Sequence, residues 1–174
     1  MKTKFLSFAL AFSTILVSAQ NYTFNSADFT EKSKILWEAA KKRFVAELGE
    51  KTTICAEFVS CNKAATQFEG GTSCIAVDSE KIKHHLTTFK LGTDENAAIA
   101  TFEKMREIIK ATVTDKFPQQ QEYSGGYHKY MFYYYEFQHD VFSYVAKQPT
   151  AKIGLKKSGD DFIAEVYFVE PIFK

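Results

Sequence analysis

The sequence lacks an excess of charge of either sign. Its 22 lysine and arginine residues are matched by 21 aspartate and glutamate residues, which gives a net charge of +1 over 174 residues. The basic side chains are scattered among acidic ones, whereas a nucleic-acid-binding protein carries clustered positive charge that contacts phosphates. We therefore expect no nucleic acid partner.

Long hydrophobic runs are also scarce, and the most apolar one lies near the start of the chain. Two lysines precede a largely apolar run of 13 residues, Phe5–Val17, and the small residues Ser18 and Ala19 follow it. A membrane-spanning helix needs roughly 20 apolar residues, so this pattern is typical of a signal peptide. We predict a signal peptide over residues 1–19 with cleavage after Ala19, and a soluble secreted or periplasmic protein without a membrane span.

The familiar motifs of catalysis and metal binding are missing as well. The sequence contains no HExxH motif, no zinc-type pairs of cysteines and no calcium-loop spacing. A GxSxG nucleophile motif and a phosphate-binding loop with its lysine are equally missing. We therefore predict no catalytic residues, no metal site and no cofactor.

Cysteine is rare and odd in number, with Cys55, Cys61 and Cys74. In an oxidising compartment three cysteines form at most one internal disulfide and leave one thiol. A strand between Cys55 and Cys61 would hold their Cα atoms roughly 20 Å apart, which is too far for a disulfide. We predict a bond between Cys61 and Cys74, with Cys55 as the alternative partner of Cys74. The other interpretation is three buried thiols.

Two segments have the apolar spacing of helices. The first, residues 26–48, follows a flexible lead over residues 20–25, and the second covers residues 95–113. Apolar residues recur in both at steps of three and four, which is typical of amphipathic helices. Residues 52–62 carry a similar but shorter pattern and are predicted to form a short helix.

The remaining segments favour strands. Residues 65–79 are predicted to form two short strands around Gly70-Gly71, and residues 118–126 a loop. Further strands are predicted at residues 83–92, 127–140, 151–157 and 161–171, the last of them central because it is apolar on both faces. This order predicts a single α+β domain over residues 26–174, in which two long amphipathic helices pack on a curved antiparallel sheet. It is also compatible with a duplicated helix-plus-three-strands unit.

Aromatic residues are concentrated in one place, the segment YHKYMFYYYEFQHD at residues 127–140. Nine of the 18 residues from Tyr127 to Tyr144 are aromatic, which favours a strand over a helix. Alternation along a strand then separates two faces. We assign one set to the core, namely Met131, Tyr133, Tyr135 and Phe137, and the other to a partly wet surface, namely His128, Tyr130, Phe132, Tyr134 and Glu136.

The wetter face supplies the predicted ligand-binding residues His128, Tyr130, Tyr134 and Glu136. Tyrosine combines a rigid apolar ring with a polar tip and is enriched at interfaces, although such rings can also simply fill a core. We therefore predict an exported, non-catalytic binding or interaction protein whose partner is an unknown protein or small ligand.

Two alternative functions stay open at this point. The first is a secreted hydrolase that uses His128, His139 and Asp140 in a cleft. The second is an inhibitor of an envelope enzyme, which would present residues 119–128 as a protruding loop.

Overall fold

The computed structural model describes residues 22–55, 57–113, 118–122, 131–139 and 149–171, the backbone alone being considered for 118–122 and 131–139. Within these residues, two helices and eight strands follow one another. In chain order these are α1 (Ser26–Lys41), β1 (Leu48–Lys51), β2 (Ser60–Ala64), β3 (Gly71–Val77), β4 (Lys83–Gly92), α2 (Glu95–Val113), β5 (Pro118–Glu122), β6 (Met131–His139), β7 (Thr150–Ser158) and β8 (Asp161–Val169).

All eight strands belong to one antiparallel sheet with the order β1-β2-β3-β4-β8-β7-β6-β5. The predicted α+β class with an antiparallel sheet is confirmed. β8 lies in the middle of the sheet between β4 and β7, as expected for a strand that is apolar on both faces. Four strands follow each helix, where the sequence suggested three.

Both helices contribute to the same hydrophobic core on one face of the sheet. The residues that α1 buries include Phe29, Leu36 and Trp37, and those of α2 include Phe102 and Met105. The sheet contributes alternate residues of its central strands to this core, namely Ile75, Phe89, Ala151, Ile153, Leu155, Phe162, Ala164, Val166 and Phe168. In the part of the chain that the structure describes, no helix combines the length and apolar character needed to cross a bilayer.

The first helix is shorter than predicted, because the chain turns after Lys41. Arg43 and Phe44 have positive φ angles of 57° and 53°, which a right-handed helix does not allow. The turn buries the ring of Phe44, and a single 3₁₀ turn, Val45–Glu47, then leads into β1. Phe44 is apolar because it is buried in this turn, and its position happens to match the helical spacing of α1. The sequence therefore predicted a helix that runs past its true end at Lys41.

The short helix predicted at residues 52–62 is wrong. Residues 52–59 form turns and bends where the structure describes them, and β2 begins at Ser60. The strand predicted before Gly70 is also misplaced, because β2 ends at Ala64 and the chain then turns before β3 begins at Gly71. The apolar residues of this region pack on two different faces of the sheet. Their spacing therefore indicated neither a helix nor a strand reliably.

The loop predicted at residues 118–126 begins as a strand. β5 runs from Pro118 to Glu122 and pairs with β6 at the outer edge of the sheet. Proline lacks a backbone donor, and it is tolerated at the first residue of an edge strand. The predicted strands of the last third otherwise agree with β6, β7 and β8.

Candidate functional site

The sheet face turned away from the helices carries a buried carboxylate at its centre. Glu165 is 6% exposed and lies in β8 between Ala164 and Val166, which both belong to the helix-side core. Because neighbouring residues of a strand point to opposite faces, Glu165 and Tyr167 lie on the face opposite to α1 and α2. We refer to this surface, centred on Glu165, as the open face.

Two side chains hold the carboxylate of Glu165. Lys156 of β7 forms an ion pair with Oε1, and the hydroxyl of Tyr167 donates to Oε2 over 3.0 Å. A buried carboxylate is costly unless it is paired in this way. Gly154, whose backbone pairs with Glu165 across β7 and β8, contributes no side chain to the cluster. The arrangement thus combines a fixed negative charge, an ammonium group and a phenol around a glycine.

The strand register continues this arrangement towards the aromatic run. Tyr134 of β6 pairs with Gly154, and Glu136 pairs with Lys152. Two of the four predicted ligand-binding residues therefore lie at register positions beside the Glu165 cluster. Their roles stay predictions.

The other two predicted ligand-binding residues, His128 and Tyr130, lie outside the described residues. The pairing of β6 with β7 shifts between Met131 and Tyr133. Such an irregularity inserts or removes one residue at that point of the pairing. That all four residues share one face stays a prediction.

The sequence prediction missed Glu165, Lys156 and Tyr167 as members of a site. A signal was present, because Glu165 interrupts a strand that is otherwise almost entirely apolar. A carboxylate in such a strand must find partners, but the identity of those partners depends on the pairing of β7 with β8.

The three cysteines converge on the same face of the sheet, where Tyr167 packs against their cluster. Cys55 forms a disulfide with Cys61, and the sulfur of Cys74 also lies in bonding contact with that of Cys55. The predicted bond between Cys61 and Cys74 is not among these pairs. The reasoning against a bond between Cys55 and Cys61 was wrong, because the intervening chain turns and leaves their Cα atoms 5.9 Å apart.

A histidine and a carboxylate also meet in the turn between β3 and β4. Nε2 of His84 lies 2.8 Å from Oδ2 of Asp78, and Oδ1 of Asp78 accepts from the backbone of Glu80 and Ile82. Burial alone would raise the pKa of Asp78, but the hydrogen bonds from His84 and the backbone outweigh it and hold that pKa below its ordinary value. The carboxylate therefore serves to close the turn.

The residues of the alternative hydrolase site are only partly described. His139 ends β6, where its backbone pairs with Pro118. Asp140 and His128 lie outside the described residues, as does much of the predicted inhibitory loop, residues 123–128.

Comparisons of this chain with protein-family models, curated proteins and solved structures find no match.

Proposed function

We propose that this protein is exported and binds a partner, without catalysis, through the open face of its sheet. The observation that carries the proposal is the cluster of Glu165, Lys156 and Tyr167 beside Gly154. A charged network at the centre of a sheet does little for stability that apolar residues could not do as well. The presence of this cluster on the sheet face opposite to α1 and α2 therefore supports a role in recognition.

The aromatic run extends this surface. Tyr134 is paired with Gly154, a residue without a side chain, and its position is suited to a ring that stacks on a ligand. Lys152 and Glu136 are paired on the next row and add charge of both signs. A ligand that fits this chemistry presents a flat ring or sugar face together with hydrogen-bonding groups, either free or on a protein surface.

Export rests on the leader at residues 1–19, and the non-catalytic assignment rests on the missing motifs. A sheet of eight twisted strands is expected to curve, which would make one of its faces concave. The order of one helix and four strands occurs twice, and the sheet order is symmetrical about the β4–β8 pair. We therefore propose a doubled unit in which the second half carries the binding surface.

The proposal is tested by substitution of Tyr134 on the exported protein. Wild type, Tyr134→Ala and Tyr134→Phe are compared on a glycan array and in pull-downs from the envelope fraction of the source organism. Loss of a central aromatic contact typically weakens binding about tenfold or more. We expect that loss for Tyr134→Ala, and a smaller one for Tyr134→Phe, which keeps the ring.

A matched control is Lys104→Ala, because Lys104 is exposed on α2, on the opposite side of the sheet. This variant should bind as wild type does. Folding of each variant is monitored by the fluorescence of Trp37, the single tryptophan. Equal binding by wild type and Tyr134→Ala would contradict the proposal, and unfolding of Tyr134→Ala would show instead that the ring belongs to the core.

A further inference from the structure

Three buried cysteines from three separate segments meet at one point, and the proposed binding function does not use them. Cys55 lies in the turn at residues 52–59, Cys61 in β2 and Cys74 in β3. Each is at most 7% exposed, and their sulfur atoms all lie within 4.8 Å of one another. The site is closed by apolar side chains, namely Ala76, Leu86, Phe58 and Tyr167.

Backbone geometry makes Cys55 the shared partner. Its Cα atom lies 5.9 Å from that of Cys61 and 6.7 Å from that of Cys74, and both separations are within the range of disulfides. Cys61 and Cys74 belong to paired strands, but Cys61 lies opposite Ala76 and Cys74 opposite Lys63. Such diagonal positions are about 7–8 Å apart, which is too far for an unstrained disulfide.

We propose that Cys55, Cys61 and Cys74 form one exchangeable disulfide site, in which Cys55 is bonded to either of the other two. The third sulfur stays beside the bond as a thiol. A neutral disulfide and a thiol suit the apolar surroundings, whereas three thiolates on a divalent cation would leave a net negative charge there.

The exchange conserves atoms and electrons. Cys74 loses its proton, and its thiolate attacks the sulfur of Cys55 in the bond between Cys55 and Cys61. The new bond joins Cys55 to Cys74, the old bond breaks, and Cys61 leaves as a thiolate that takes up one proton. The backbone N–H of Cys55 donates to the sulfur of Cys61 over 3.2 Å, which stabilises that leaving group.

Through the exchange, the disulfide that ties the turn at residues 52–59 to the sheet changes its partner strand from β2 to β3. This turn carries two exposed apolar side chains, Ile54 and Val59, which are 53% and 74% exposed. The site is therefore a redox-neutral switch in the first half of the molecule.

The test maps the free thiol in the full exported protein, purified without reductant. The protein is quenched in acid, denatured, alkylated with N-ethylmaleimide and digested, and the labelled peptides are identified by mass spectrometry. We expect one label per chain, divided between Cys61 and Cys74. Cys55 should carry no label.

Exchange itself is tested from a second starting point. Protein oxidised while unfolded in urea should favour the bond with the shorter loop, because closure of the loop to Cys61 is about fivefold more probable than closure of the loop to Cys74. After transfer to native buffer near pH 8.5, where about half of an ordinary thiol is ionised, both preparations should converge on the same division of label. Persistent differences between them would overturn the proposal.

The variant Cys55→Ser provides the control for the shared partner. It should leave both Cys61 and Cys74 open to alkylation after denaturation, since their diagonal positions disfavour a bond. A bond between Cys61 and Cys74, in this variant or as the main species of the wild type, overturns the proposal. A label confined to one cysteine, or three labelled thiols with a stoichiometric bound metal, does so too.

Discussion

Acidification should destabilise this protein through one buried histidine, His85 of β4. The side chain is fully buried, and its Nε2 lies 3.0 Å from the carbonyl oxygen of Thr66, to which it donates in the neutral form. Phe44 and Phe68 lie beside the ring, with centroids 6.4 Å and 6.2 Å away. Nδ1 has no hydrogen-bond partner among the described residues.

Burial lowers the pKa of His85 from 6.5 to about 4, against the opposing effects of the Thr66 carbonyl and the charge of Glu47. Above pH 6.5 the imidazole is neutral in both the folded and the unfolded chain, and the stability of the fold is fully present. As the pH falls from 6.5 towards 4, His85 becomes protonated in the unfolded chain but stays neutral in the folded chain. The free energy of unfolding is therefore lost across that interval.

The size of the effect follows from the difference in pKa. Each pKa unit corresponds to about 1.4 kcal/mol, so the complete loss is about 3 kcal/mol and the loss between about pH 7 and about pH 5 is about 2 kcal/mol. The measurement is urea unfolding at both pH values, followed by the fluorescence of Trp37, which is buried in the core.

The informative variant is His85→Gln, whose amide can still donate to Thr66 but does not titrate. Its loss of stability over the same interval should be smaller than that of the wild type by about 2 kcal/mol. Lys104→Ala, an exposed substitution on α2, keeps His85 and serves as the control. Equal losses in wild type and His85→Gln would refute the assignment.

Two further pairs of substitutions test the packing around the turns and the open face. Gly70→Ala should lower the free energy of unfolding by about 2 kcal/mol, because φ is 69° and the new Cβ would lie 2.5 Å from Cε2 of Tyr22. Gly159→Ala, at φ 62° with no atom within 4 Å, should lower it by only about 1 kcal/mol, and equal values from urea unfolding would exclude the clash. Lys156→Met should lower it by about 1–3 kcal/mol, because it removes the cation paired with Glu165. Adding Glu165→Leu should restore much of that loss, and a failure to do so would argue against an uncompensated charge.

The pattern of a single strand shows which residues share a face, but it does not show which residues of the neighbouring strands lie beside them. Tyr134 and Glu136 were selected from the aromatic run, but their neighbours Gly154 and Lys152 became apparent only through strand pairing. The cysteines show the same limit, because the distance between Cys55 and Cys61 depends on whether the chain between them is extended or turned.

The sequence by itself determined the second helix, the strands β4, β7 and β8, and the α+β class. In these segments local periodicity and tertiary packing agree, since one side of each element meets one core. Only the tertiary structure decided the early end of α1, the edge strand that begins at Pro118 and the meeting of the three cysteines. Each of these depends on partners far away in the chain, and their contacts outweigh the local preferences on which a sequence pattern relies.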